Sequence, residues 1–515
     1  MDAGTQAGSA DALLTPMLAA GPGVVAPAAD VRALPGPPAH WLFGSSLGVK
    51  REHVHEAIES WVERYGPFLG CTLGRHRYVV VADGTLIHAI LRCRPELFTR
   101  GRRLSEIIQE TGPTGVFTAE GEPWRRQRKL VMRALTPEAV RGFFPHIRRV
   151  TERLQQRWAT AAERGEACDV ARDLRCFAVD IAAGLAIGED VDSLRNPDDP
   201  FQSDIEFWFW LVGHRLGCPV PYWRWFDLAP ERRLRELQAR RDRLLARVIG
   251  EARQRLDADP SRRAHPANIL EALVAARDAP DSEFTDEDVK GNVLAMLFAG
   301  EDTVANAIAW LLLHLVTDSQ LAYTARIESD GVLAPDGLVA RFEQLGRLRY
   351  LESIALESMR IRTVAPIMGV TARAAVNLAG LRVEPGQTLI LALRAASRRS
   401  GSFAPFEVIE PQRWMAAVGE AGQPGGDPRR DVFPFGAGPR LCPGRYLAMV
   451  EIKMAASMAL RSFDFAVLGD PADCHERYTF TMGPSSLRML LARRTQVSVP
   501  PPWPERATAA RDAVV

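Results

Sequence analysis

The sequence lacks closely spaced pairs of cysteines. Its seven cysteines are an odd number, are widely scattered and include no CxxC pair. They are Cys71, Cys93, Cys168, Cys176, Cys218, Cys442 and Cys474. This pattern excludes a disulfide framework and a zinc knuckle and is typical of reduced thiols, so we expect a cytoplasmic protein.

A net charge of either sign is also missing. The chain has 64 basic and 63 acidic residues, which leaves a formal net charge of +1. Such a balanced chain has no global electrostatic attraction to nucleic acid or to an acidic membrane, so we predict no nucleic-acid partner. Hydrophobic residues make up 47% and charged residues 25%, as in a soluble globular protein with a substantial core.

The first thirty residues lack the features of a targeting segment. No basic residue precedes Arg32, and proline and glycine interrupt the apolar run. We therefore predict neither a signal peptide nor a membrane anchor. We expect residues 1–33 to be a disordered tail rich in Ala, Gly and Pro, residues 34–500 to form a single domain, and residues 501–515 to be a flexible C-terminal tail.

Most of the remaining chain shows helical spacing, with a few strand-like segments. "FLGCTLGRHRYVVVADG" predicts a hairpin, and "LRVEPGQTLILAL", residues 381–393, predicts a second strand pair around Pro385 and Gly386. Residues 418–431 are a loop by composition. The predicted fold is mainly α with small β-sheets.

The longest predicted helix begins at a capping-box-like pair, Thr285 and Asp288, and runs to about Thr317. Its middle is apolar nearly all round, which is typical of a membrane span or of a helix buried on all sides. Glu301, Asp302 and Asn306 would be costly inside a membrane, so we predict a buried central helix.

"FGAGPRLCPG", residues 435–444, places one cysteine among glycines, prolines and arginines. No GxGxxG follows a strand here, which excludes a dinucleotide-binding fingerprint. Cys442 precedes a predicted helix, whose free N–H groups and dipole favour a thiolate. The alternative is a buried structural cysteine.

The cysteine loop resembles the haem-binding loop of the cytochrome P450 superfamily. The matching residues are Phe435, Gly436, Gly438, Arg440, Cys442 and Gly444. The resemblance implies haem b, with Cys442 as the thiolate ligand of its iron. It also implies the P450 fold, with a long central helix and this cysteine loop, in a soluble protein of the bacterial type.

Further segments resemble the same family. "ESMR" and "EPQRW" supply Glu357, Arg360 and Arg413, which in the family stabilise the core beneath the haem; alone, this Glu–Arg pair would be an ordinary surface ion pair. By the same resemblance, Trp124 and Arg128 contact the haem propionates; their alternative is a solvated basic helix. Arg373 occupies the place of a further propionate contact.

"AGEDT", residues 299–303, resembles the oxygen-activating signature of the family. There Ala299 leaves room beside the iron, and Asp302 and Thr303 deliver protons. Without the family, Thr303 would be a helix hydroxyl bonded to the preceding turn. Substrate contacts are expected from residues at positions that line the family's pocket. They are Phe117, Ala299, Ala365 and Ile367.

The resemblance implies monooxygenation with O2 and a hydrophobic small-molecule substrate, such as a fatty acid, terpenoid or steroid. No flavin or iron–sulfur motif occurs in the chain, so a separate ferredoxin and ferredoxin reductase, or a flavoprotein reductase, is expected. The face of this chain on which that donor would dock carries basic residues of the Trp124 helix and Arg445. The rival functions are a peroxide-using haem-thiolate peroxygenase or isomerase, and a non-catalytic haem-binding sensor.

Overall fold

A computed structural model describes residues 29–494 apart from residues 42, 75, 113, 197–199, 219, 281 and 416–427. Regular structure is already present before the predicted boundary at residue 34, because strand β1 (Ala29–Asp30) and the turn Val31–Ala33 precede it. The rest of the predicted N-terminal tail and the predicted tail 501–515 lie outside the described residues. So does most of the predicted loop at 418–431, whose end, Pro428–Asp431, forms a short 3-10 turn.

Helices make up most of the described chain. In chain order they are α1 (Val54–Tyr65), α2 (Gly84–Arg92), α3 (Arg102–Thr111), α4 (Gly121–Ala134), α5 (Pro137–Arg164), α6 (Val170–Ile187), α7 (Pro200–Gly217), α8 (Ala229–Ala258), α9 (Ile269–Arg277), α10 (Asp286–Thr317), α11 (Ser319–Val332), α12 (Arg349–Ile361), α13 (Leu393–Arg399), α14 (Gln412–Met415) and α15 (Arg445–Ser462). The predicted class, mainly α with small sheets, is confirmed.

The strands form four small sheets. Those after β1 are β2 (Phe68–Leu73), β3 (His76–Val81), β4 (Phe98–Arg100), β5 (Ala167–Asp169), β6 (Ile367–Ala372), β7 (Val376–Leu378), β8 (Leu381–Val383), β9 (Thr388–Ala392), β10 (Phe463–Val467), β11 (Glu476–Tyr478), β12 (Met482–Pro484) and β13 (Arg488–Arg493). The largest sheet has the order β2-β3-β9-β6-β4; the others are β1-β8-β7, β10-β13-β5 and β11-β12. The predicted hairpin is the antiparallel β2–β3 pair. Phe68 pairs with Val81 at its open end, and Leu73 pairs with His76 next to the turn.

The second predicted strand pair requires a correction. Both strands exist, as β8 and β9, but they belong to different sheets. β8 pairs with β7 and β1, whereas β9 lies between β3 and β6. The turn between them, with Gly386 at φ +83°, therefore joins two sheets and does not close a hairpin.

Helix α10 is the predicted central helix. Its N-terminus has the capping box: the Thr285 hydroxyl accepts a hydrogen bond from the Asp288 amide, and the Asp288 carboxylate accepts one from the Thr285 amide. By length and composition it could cross a membrane, but 67% of its most apolar window is buried inside the protein. The prediction of a buried helix is confirmed, and this burial places residues 299–303 in the middle of the fold.

Candidate active site

The cysteine loop ends where α15 begins. Its backbone closes through a hydrogen bond from the Cys442 amide to the Phe435 carbonyl at 2.9 Å. Gly438 has φ +69°, and a Cβ there would lie 2.3 Å from the Leu91 carbonyl oxygen, so only glycine fits this approach to the end of α2. Gly436 also has a positive φ of 74°. The loop thereby holds the half-buried Cys442 at the N-terminal side of α15.

Two opposing effects act on the Cys442 thiol. Burial raises its pKa. Hydrogen bonds from the backbone amides of Gly444 and Arg445, and the charges of Arg128 and Arg445, lower it. The amides are those of the helix N-terminus that the sequence predicted, and they favour the thiolate form that a metal requires.

Trp124 and Arg128 project from α4 toward this loop. Arg128 donates a hydrogen bond from Nη2 to the Leu441 carbonyl. Trp124 is buried, and the Arg440 guanidinium carbon lies 4.3 Å from its ring centroid. The solvated basic helix that was the alternative does not describe these two residues, because both contact the cysteine loop.

A cluster of buried arginines surrounds Arg440. Arg440 donates to the Ala119 carbonyl at 2.7 Å and to the Glu120 carboxylate at 2.5 Å, but its Nε and Nη1 atoms have no partner within the described ranges. Arg94 is 2% exposed, and its Nε and Nη2 atoms are likewise without a partner. Burial, with a smaller contribution from the neighbouring Arg440 charge, lowers the pKa of Arg94 to about 10. Burial also holds the pKa of Arg100 well below its usual range, with smaller contributions from Arg94 and Arg440.

The Glu357–Arg360 pair of α12 is fully buried. Arg360 donates from Nε and Nη2 to the two Glu357 oxygens at 2.9 and 2.8 Å, and its Nη1 and Nη2 also donate to the Phe406 and Val408 carbonyls. Glu357 accepts further hydrogen bonds from the Trp414 indole at 2.8 Å and from Arg413 at 3.5 Å. The three residues thus meet in one satisfied network, and the surface ion pair that was the alternative is excluded.

In the middle of α10, Asp302 and Thr303 have different partners. The Thr303 hydroxyl donates to the Ala299 carbonyl at 2.7 Å, the local helix bond that was the alternative to a proton-delivery role. Asp302 accepts a hydrogen bond from the Thr481 hydroxyl, and Asn306 donates to the same hydroxyl at 3.1 Å. Burial raises the pKa of Asp302, while the Thr481 hydrogen bond and the Arg175 charge lower it.

The family model described as Cytochrome P450 matches residues 34–491 of this chain. The chain belongs to the cytochrome P450 family. It is a haem-thiolate monooxygenase, and the family implies a substrate, dioxygen and a redox partner. Members of the family bind haem b through a cysteine thiolate.

Curated relatives come from plants and animals. Cytochrome P450 703A2 of Oryza sativa subsp. japonica is 25% identical over 474 residues, which cover 88% of this chain and 90% of the relative. Cytochrome P450 CYP94D108 of Paris polyphylla is 23% identical over 455 residues, or 85% of this chain and 88% of the relative. Cytochrome P450 4B1 of Homo sapiens is 24% identical over 464 residues, or 85% of both chains.

The residues of this P450 fit haem b. Haem carries two propionate carboxylates. Within the described part of the chain, the cluster of Arg94, Arg100 and Arg440 is bonded to one acid, Glu120, and leaves several buried guanidinium nitrogens unpaired. Unpaired buried donors of this kind require an anion. Cys442 offers the soft sulfur ligand that haem iron accepts. The same part of the fold therefore supplies an iron ligand and a site for carboxylates.

Arg373 does not join this cluster. It is exposed beyond the end of β6, and its Nη1 donates to the Pro95 carbonyl at 3.3 Å. The structure instead brings Arg94 and Arg100 to Arg440, and the sequence analysis missed both. Arg94 follows α2 and Arg100 ends β4, far from the cysteine loop along the chain, so no local motif marks them.

An apolar cavity lies against α10 on the side of Ala299. Aromatic side chains from several elements line it: Phe117, Trp208, Phe209, Phe298 and Phe480. Trp208 and Phe298 stack with ring centroids 4.4 Å apart, and the Trp208 indole donates to the Thr111 hydroxyl at 3.0 Å. Phe117 and Ala299, two of the predicted substrate contacts, line this cavity.

The other two predicted substrate contacts lie elsewhere. Ala365 is exposed between α12 and β6, and it is not among the residues that line the apolar cavity. Ile367 is half-buried and packs against the hydrophobic cluster of Ile58, Val80 and their neighbours. Trp208, Phe209, Phe298 and Phe480 line that cavity instead, and the sequence analysis missed all four.

Proposed function

We propose that this P450 inserts one oxygen atom of O2 into a hydrophobic, uncharged substrate such as a fatty acid chain, a terpenoid or a steroid-like compound, with electrons from a separate redox protein. The aromatic cavity beside Ala299 is the observation that carries this proposal. Its charged lining residue, Arg241, is bonded to the Asp242 carboxylate at 2.8 Å and to the Thr111 carbonyl at 3.0 Å. Since that charge is already paired, the cavity favours an apolar ligand.

The roles of the protein groups follow from their positions. Bound haem supplies thiolate-assisted activation of dioxygen. Trp124, Arg128, Arg94, Arg100 and Arg440 would hold it, through its edge and its carboxylates, and Phe435, Gly436 and Gly444 would shape the loop around the sulfur. The aromatic cavity excludes water and orients the substrate, and Asp302, whose pKa is raised by burial, can hold a proton beside Thr303.

A separate electron donor would dock on the side of the cysteine loop. A surface concavity of about 820 Å³ lies there, lined by residues that include Phe342, Tyr446 and Arg445. Arg125 is bound to Glu122 and Glu96 at 2.8 and 2.9 Å, and Arg126 is bound to Glu283. The exposed Lys129 and Arg133 are therefore the better candidates on α4 for an acidic ferredoxin or flavoprotein.

Charge reversal tests the docking face. Lys129→Glu with Arg133→Glu should slow reduction by a ferredoxin or flavoprotein donor but not reduction by dithionite. The matched control is Arg64→Glu, an exposed arginine on α1. Equal slowing by both reductants, or no slowing, contradicts the docking face.

Titration with apolar ligands tests the substrate class. The ferric protein should change from low to high spin with compounds of one hydrophobic class and not with small, highly charged ones. Turnover must also require both O2 and an electron donor. Turnover with peroxide alone would favour a peroxygenase or isomerase, and no turnover with any donor would favour a haem-binding sensor.

We also propose that this P450 is located in the cytoplasm. A location in the reducing cytoplasm is supported by seven cysteines that are all free thiols. Fractionation of cells that produce the full chain tests this: recovery in the cytosol after low-salt lysis is expected, and recovery only with detergent contradicts it.

A further inference from the structure

Glu301, beside Asp302 in α10, is a buried carboxyl group that the proposed chemistry does not use. It is 1% exposed. One oxygen, Oε1, accepts a hydrogen bond from the Gln202 amide nitrogen at 2.8 Å. The other oxygen, Oε2, is buried and has no hydrogen-bond partner among the described residues.

Glu301 is surrounded by groups from three helices. On α6, Arg175 is bonded to Glu206 at 3.1 Å; on α7, Gln202 and Glu206 face it; and on α10 itself the neighbour is Asp302. Burial raises the pKa of Glu301 well above its usual range, and the Asp302 charge raises it further. The Gln202 hydrogen bond and the Arg175 charge lower it, and Glu206 raises it. Burial beside a second carboxyl group, with Oε2 lacking a partner among the described residues, favours the neutral, protonated form of Glu301.

Polar side chains connect Glu301 to the surface. The Gln202 amide nitrogen also lies 3.4 Å from Oε1 of Glu206, one helical turn along α7. The Glu206 side chain is 47% exposed. Gln202 is an amide and holds the Glu301 carboxyl in place, while the Glu206 side chain is open to the solvent.

We propose that Glu301 stores a proton and passes it to Asp302 during each catalytic cycle. The inference rests on the proposed function, in which Asp302 delivers protons to the oxygen reaction. In the step, the O–H bond of Glu301 breaks, an O–H bond forms on the Asp302 carboxylate, and Glu301 becomes a carboxylate. Glu301 regains its proton from solvent on the Glu206 side, and no electron moves. Glu301 acts through Asp302 and is not among the residues that line the aromatic cavity.

The chain offers a matched control. Glu451 on α15 is 2% exposed, and its Oε2 atom also lacks a partner. Burial alone raises its pKa well above the usual range, with no neighbouring charge that contributes. Glu451 is therefore a second buried acid without a carboxyl neighbour to receive its proton.

The first measurement is infrared. The full-length holoenzyme and its Glu301→Gln and Glu451→Gln variants are compared at pH 7 in the carbonyl region of protonated carboxyl groups. Each substitution should remove one protonated-carboxyl band. An unchanged spectrum in Glu301→Gln would mean that Glu301 is ionised, which overturns the proposal.

The second measurement is the pH profile of product formed per O2 consumed, with its solvent isotope effect. Glu301→Gln should lower product formation at alkaline pH by about a hundredfold, the lower end of what a positioned proton-transfer group contributes, and should raise the isotope effect. Glu451→Gln should leave both unchanged. Equal behaviour of the two variants overturns the relay.

Failure of the proposed function is distinguishable from failure of the relay. If the wild-type enzyme turns over with peroxide but not with O2, the proposed function is wrong. The relay is then overturned as well, because it rests on that function. If the wild-type enzyme turns over normally with O2 and Glu301→Gln has the same pH profile, the relay alone is overturned.

Discussion

Arg440 of the cysteine loop lies over the indole of Trp124, with its guanidinium carbon 4.3 Å from the ring centroid. The contact joins the loop to α4, and it orients a side chain whose Nε and Nη1 atoms have no partner among the residues that the structure describes. Arg440 is therefore held in position to bind an anion, and the haem propionates are the anions that this family supplies.

Removal of the arginine charges should weaken haem retention. Arg440→Gln and Arg94→Gln should each speed haem loss from the holoenzyme to a haem scavenger by about ten- to a hundredfold, since a hydrogen bond to a charged group contributes about 1.5–3 kcal/mol. Arg373→Gln is the control, because Arg373 is exposed and bonded to the Pro95 carbonyl. If Arg373→Gln loses haem as fast as Arg440→Gln, the assignment of the cluster is wrong.

The buried Glu357–Arg360 pair should matter far more for stability than an exposed pair. Glu357→Gln leaves Arg360 buried without its partner, which should lower the free energy of unfolding by about 3–5 kcal/mol. Glu106→Gln breaks the exposed Arg102–Glu106 pair of α3 and should change it by less than about 0.5 kcal/mol. Urea unfolding followed by circular dichroism measures both, and similar losses would contradict the structural role of the buried pair.

The aromatic cavity predicts a difference between two phenylalanines. Phe117→Ala should weaken an apolar ligand about tenfold or more, because a buried phenylalanine contributes about 1.5–3 kcal/mol of apolar contact. Phe43→Ala removes the same side chain from an exposed site, where it is 41% accessible, and should have no effect. Spin-state titration gives both dissociation constants, and equal values would place the ligand elsewhere.

His314 on α10 predicts an acid-sensitive stability. Burial lowers its pKa from 6.5 to about 4, and the charges of Arg362 and Arg360 contribute. The unfolded chain binds a proton at this residue below pH 6.5 while the folded protein does not, so stability falls as the pH drops from 6.5 toward 4. His314→Gln should remove up to about 3 kcal/mol of that pH dependence, and the exposed His265→Gln should not. Parallel stability curves for wild type and His314→Gln would contradict the shift.

The parts of the site that could be predicted from the sequence consist of residues that lie close together along the chain. The cysteine loop, the Glu357–Arg360 spacing and the Thr285 capping box each lie within a few residues, so the spacing of residue types determines the contact. Their structures confirm the predicted helices around them.

The missed parts depend on contacts between distant segments. In each case the two residues belong to different elements. The pairs are Arg94 beside Arg440, the hydrogen bond from Thr481 to Asp302, and the hydrogen bond from Gln202 to Glu301. The predicted pairing of strands β8 and β9 was wrong for the same reason, because the strands that pair with each of them come from elsewhere in the chain. Helical and strand periodicity contains no information about which distant element packs against a given face.

Spectroscopy of the ferric protein tests most directly whether Cys442 ligates haem iron. Electron paramagnetic resonance and absorption spectra of wild type, Cys442→Ser and the half-buried control Cys474→Ser are compared, each with its haem content. We expect a thiolate-ligated spectrum in wild type and in Cys474→Ser, and its loss in Cys442→Ser. A thiolate spectrum that survives in Cys442→Ser, or one that never appears in the haem-loaded wild-type protein, would contradict the assignment.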